Sequence, residues 1–70
     1  MNEFYEVEFY GEGLFFFKNK DNAFSFLWQK FLNANAEHFT DSELAEFKRE
    51  LYEEYFIDSF GHVRVVGFED

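Results

Sequence analysis

Apolar and polar side chains alternate from Phe4 to Tyr10, with Tyr5, Val7 and Phe9 on one side. Glu6 and Glu8 fall on the other, flanked by Phe4 and Tyr10. A period of two is that of a strand. Gly11-Glu12-Gly13 follows, and glycine supplies the positive φ that a hairpin loop needs. Leu14–Lys18 then returns as a second strand, apolar on both faces, so it is either covered twice or partly exposed. Asn19-Lys20-Asp21-Asn22 predicts a turn, with Asp21 or Asn22 capping the helix after it. From Ala23 to about Asn33 the period changes. Phe24, Leu27, Trp28 and Phe31 recur at i, i+3, i+4 and i+7, one stripe facing a core. Phe26 projects away from that stripe with Lys30 and Asn33, and Asn33–Ala36 reads as a loop.

Thr40-Asp41-Ser42-Glu43 fits a capping box, and Phe39 with Leu44 can close a hydrophobic staple. The second helix is expected to run from 41 to about Tyr55, burying Leu44, Phe47, Leu51 and Tyr55. Asp58–Gly61 predicts a turn and His62–Phe68 a third strand rich in valine. The order β-β-α-α-β defines one α+β domain over residues 1–70, a small three-stranded antiparallel sheet packed against two helices. Trp28, Phe31, Leu44, Phe47 and Leu51 are its expected core.

Seventy residues are near the lower limit for a core without staples, and the chain has no cysteine, which excludes disulfides and thiolate zinc sites. The acidic start Met1–Glu6 is unlike a signal peptide, and the longest strictly apolar run is Leu14–Phe17, far short of a membrane span. The expected compartment is the cytoplasm, of a bacterium or of a cell infected by a virus. Net charge is −9, from 15 acids against 6 bases. That balance repels DNA, RNA and anionic membranes, so direct nucleic-acid or membrane binding is not expected.

Catalytic chemistry finds little support. Ser25, Ser42 and Ser59 lack the glycine-flanked elbow of an activated hydroxyl. Asp58, Ser59 and His62 lie close in sequence, but a triad is defined by spatial geometry. His38 and Asp41 are neighbours, His62 is distant, and no metal-ligand spacing joins them. Gly11-Glu12-Gly13 places an acid where a phosphate cradle would be cationic or neutral. We expect no enzyme activity, no metal and no cofactor.

The second helix carries the strongest signal. Residues 37–58 contain eight acids and two bases. Glu43, Glu46, Glu50, Glu53 and Glu54 fall within an arc of roughly 100°, beside the arc of Leu44, Phe47, Leu51 and Tyr55. Lys48 and Arg49 are expected to point elsewhere, leaving the like-charge repulsion with little relief. The five carboxylates span roughly 16 Å at about 1.5 Å per residue. That is one charge per about 3–4 Å, against one per about 3.4 Å along a DNA strand. Such a face suits a groove built for a phosphate backbone, although charged helix faces also serve solubility alone. Asp58 extends the row, and Glu3, Glu6, Glu8 and Glu12 add to the acidic total.

Aromatic residues make up 26% of the chain, thirteen of them Phe, more than a core this small is expected to hide. Phe26, Phe60, Tyr52 and Tyr10 are the candidates for an exposed aromatic surface, which beside acids suits a partner presenting Arg and Lys. In length, acidity and aromatic content the chain resembles phage-encoded inhibitors of host nucleic-acid-binding systems, such as anti-CRISPR and anti-restriction proteins. The resemblance is compositional and carries no residue across. It implies a DNA-mimic-like inhibitor that occupies the basic surface of a nucleic-acid-binding protein. The alternative reading is a structural or adaptor domain that homodimerises through an exposed aromatic face.

Overall fold

The computed structural model describes residues 2–10 and 13–68, with only the backbone of Asn2 and Phe68. Strand β1 (Asn2–Phe9) forms a hairpin with β2 (Gly13–Phe17), and helix α1 spans Lys20–Asn35. A short 3-10 turn (Ala36–His38) leads to helix α2 (Asp41–Glu54), then β3 (Phe56–Ile57) and β4 (Gly61–Phe68). The fold is α+β, with four antiparallel strands rather than three, in the order β2-β1-β4-β3. The additional strand β3 is two residues long, too short for any alternation to mark it.

Register assigns the faces. Ile57, Gly61 and Phe9 share one row, Val63, Val7 and Phe15 the next but one, and Val65, Tyr5 and Phe17 a third. These rows face the helices. Val7, Phe9, Ile57 and Val63 join Phe24, Leu27, Trp28, Phe31 and Leu51 in the buried core. Leu44, Phe47 and Tyr55 are only partly buried and pack against it, a correction to the expected core. Phe39 stacks on Phe31 at a centroid distance of 6.0 Å, and Phe47 packs against the same ring tilted by 54° at 5.2 Å.

Gly61 is required by this packing. A Cβ there would meet the Glu8 carbonyl oxygen at 2.6 Å and the Phe9 Cβ at 2.7 Å, so β4 reaches β1 only without a side chain.

Both helices begin with a built cap. The capping box of α2 is present: Glu43 N–H donates to Thr40 Oγ1 at 3.2 Å, and Thr40 N–H donates to Glu43 Oε1 at 2.9 Å. The cap of α1 is Asn19, two residues before the nearer of the expected Asp21 and Asn22, with its Oδ1 accepting from Asn22 N–H at 3.1 Å. Helix α1 also continues through the predicted loop to Asn35, since neither glycine nor proline interrupts it. Tyr55 ends α2 in the left-handed region at φ 67°, and its N–H closes on the Leu51 carbonyl.

Candidate functional site

The acidic row of α2 forms on an intact helix. Glu43, Glu46, Glu53 and Glu54 are exposed and Glu50 is partly buried. The expectation that Arg49 points elsewhere is corrected. Its guanidinium donates to Glu46 Oε2 at 2.7 Å and to Glu53 Oε2 at 2.9 Å, one turn away on either side. Residues three and four apart are neighbours on a helix surface, and an arginine at the margin of the arc reaches both. Glu46 first, and Glu53 with it, raise the Arg49 pKa above its ordinary value. Glu50 and Glu54 form no ion pair among the described residues.

The other predicted acids belong to different surfaces. Glu6 and Glu8 lie on the sheet face turned away from the helices, so they do not extend the α2 row. Glu6 stands directly opposite Arg64 on β4, and Arg64 Nη2 reaches Glu6 Oε2 at 2.7 Å. The Glu6 side chain is 8% exposed and that of Arg64 67%, so the arginine covers the acid. Glu8 stands opposite His62, with His62 Nε2 3.4 Å from Glu8 Oε1. Asp58 is exposed in the turn after β3, and Glu3 is exposed near the start of β1. Glu12 lies outside the described residues.

The Glu6–Arg64 pair is a stabilising device open to test. Replacing Arg64 by Leu leaves a buried carboxylate without its partner and is expected to cost about 1–3 kcal/mol. Replacing both residues by Leu removes the unpaired charge as well, and should recover most of that loss. Urea denaturation of the two variants measures both values.

Of the aromatic candidates, Phe26 is corrected most. It is not on an exposed polar side: its ring lies 4.9 Å from Phe15, 5.1 Å from Phe17 and 6.0 Å from Phe9. The flank of α1 opposite its main stripe meets β2, which the helical period alone does not reveal. Phe60 is half-buried, stacked on Phe9 at 5.8 Å, and Tyr10 N–H donates to its carbonyl at 3.1 Å. Tyr10 and Phe60 thereby line one shallow depression of about 410 Å3 with Lys30 and Asn33. Tyr52 is separate, on α2, with its ring edge-on to Phe24 at 4.8 Å, and lines a second depression with Ala45, Lys48 and Arg49.

The sequence left open whether β2 is covered on both faces, and the structure leaves one of them exposed as a different apolar surface. The open face of the sheet carries the row Leu14, Glu8, His62, Phe56 and the row Phe16, Glu6, Arg64. Leu14 is 50% and Phe16 57% exposed. The doubly apolar pattern of Leu14–Phe17 was the available signal, because only one of its two faces meets a helix.

Among the described residues no three His, Cys, Asp or Glu side chains converge as a metal site, and no helix is long and apolar enough to cross a membrane. Comparison with protein-family models, with curated proteins and with solved structures finds no match to this chain.

Proposed function

We propose that this protein binds and inhibits a nucleic-acid-binding protein, with the acidic row of α2 occupying the partner's basic DNA- or RNA-binding surface. The observation that supports this reading is the placement of charge on α2. Glu53 and Glu54 occupy the last turn of the helix, which contains no basic residue. The negative end of the helix macrodipole disfavours acids there, by about 0.3–1 kcal/mol each. Arg49 offsets this for Glu53, whereas Glu54 has no such compensation. A face selected for stability would carry lysine in that turn. A partner rich in Arg and Lys supplies the missing cations, and complementary charge also accelerates encounter.

Binding is then intermolecular ion pairing, and inhibition is competition for one surface. No bond is made or broken, and no cofactor takes part. The compartment this implies is the cytoplasm of a bacterium or of a phage-infected host.

The test is capture of a partner on the immobilised protein, followed by competition. Duplex DNA or RNA should displace the captured protein. So should about 1 M salt, where charges are screened beyond about 3 Å. Capture that survives both nucleic acid and salt would reject an electrostatic mimic.

A further inference from the structure

The two edges of the sheet are unequal. Strand β3 closes one side with two residues. The other edge is β2, five residues long, uncharged from Gly13 to Phe17 and without proline. Natural edges are ordinarily blunted by charge, proline, a bulge or shortness, because their outward N–H and C=O groups template another strand. Here Leu14 and Phe16 are exposed on the open face, and Phe15 is 38% exposed on the helix face.

We propose that β2 pairs antiparallel with β2 of a second copy across a two-fold axis at Phe15, joining the two sheets into one of eight strands. The strand is self-complementary in this register. Phe15 meets Phe15, and Leu14 meets Phe16 of the second copy on the open face, twice over. Cross-strand aromatic and aliphatic pairs of this kind are the units of sheet stabilisation.

Charge selects the same occupant. Residues 13–20 contain Lys18 and Lys20 and no acid, within a chain of net charge −9. Antiparallel pairing sends the two Lys18 residues to opposite ends of the interface. In this register each Lys18 lies two residues beyond the position opposite Leu14 of the other copy, and Glu8 stands beside that Leu14 on the open face. The basic partner inferred for α2 would instead be repelled at this edge. Because β3 is so short, the assembly closes at two copies. The dimer presents two α2 rows, but its formation does not depend on what α2 binds.

The experiment is mass measurement by light scattering or sedimentation on the purified chain. Wild type is expected at twice its 8.5 kDa. Leu14→Glu combined with Phe16→Glu sets like charges against each other at both contacts and should raise the dimer dissociation constant at least about tenfold. Leu14→Glu combined with Phe16→Lys sets opposite charges together and should restore the dimer, an outcome specific to this register. As a second reading, Phe15→Cys in the otherwise cysteine-free chain should cross-link on oxidation, since facing Cα atoms lie about 4.5–5.5 Å apart. A wild-type monomer up to about 1 mM, where a contact worth roughly 4 kcal/mol would register, overturns the proposal. So does a charge-swapped variant as monomeric as the doubly acidic one, or an assembly larger than two. A monomer that still captures a basic partner would remove this inference and leave the function of α2 standing.

Discussion

Truncating Phe24 to Ala is expected to remove about 3–5 kcal/mol of folding stability. Phe24 is fully buried in the second turn of α1. Its ring meets Tyr52 at 4.8 Å and Tyr55 at 5.1 Å, both edge-on, so one residue joins α1 to the end of α2. Lys20 approaches the same rings, 5.5 Å from the Phe24 centroid and 5.0 Å from that of Tyr55. Deleting the ring forfeits its transfer free energy and leaves a cavity whose walls belong to two helices, which cannot easily collapse. At about 0.05–0.15 kcal/mol per residue, a domain of this length has only about 4–10 kcal/mol in total. The variant should therefore lose from about a third to all of its stability, seen as a fall in the urea midpoint at unchanged slope. Tyr10→Ala is the control: its side chain is 70% exposed, and the change should stay within about 0.5 kcal/mol. A Phe24→Ala variant that loses less than about 1 kcal/mol would contradict the packing described for α1.

Reversing Glu50 and Glu54 to Lys is expected to separate stability from binding. Neither carboxylate has an ion-pair partner among the described residues, so no native pair is broken. Glu54→Lys also places a cation at the negative end of the helix dipole, worth about 0.3–1 kcal/mol. The melting temperature should hold or rise. Affinity for the captured partner should fall at least about tenfold, because each substitution sets a cation against a cation in a desolvated contact. Glu46 is a poorer choice than it looks from the helical wheel: it holds Arg49 at 2.7 Å, and its loss would release a base beside the contact. Glu43 caps its own helix and would confound folding with binding. A folded Glu50→Lys, Glu54→Lys variant that binds as tightly as wild type would exclude α2 as the interface.

The helices were legible because their signals are local. The period of Phe24, Leu27, Trp28 and Phe31 and the Thr40–Glu43 box each lie within two turns of chain, and backbone geometry alone converts such spacing into a face and a cap. The alternation of Tyr5, Val7 and Phe9 likewise marked the buried side of β1. The net charge and the cluster of five glutamates on one arc of α2 also follow from sequence.

Pairing between distant segments was not legible. Strand β1 lies between β2 and β4, and it is the β1–β4 register that sets Glu6 against Arg64, 58 positions along the chain. No local pattern distinguishes that glutamate from the free ones. The same holds for Phe26, which the helical wheel assigns to solvent and β2 covers, and for Arg49, whose rotamer rather than its azimuth brings it to Glu46 and Glu53. Strand β3 exists because β4 offers a ladder to Phe56 and Ile57, not because two residues have a propensity. Sequence alone determined which residues seek burial and how much charge the surface must carry. Tertiary structure decided which strands became edges, which acids were neutralised and which apolar face stayed open, because those depend on pairing energies between segments remote in the chain.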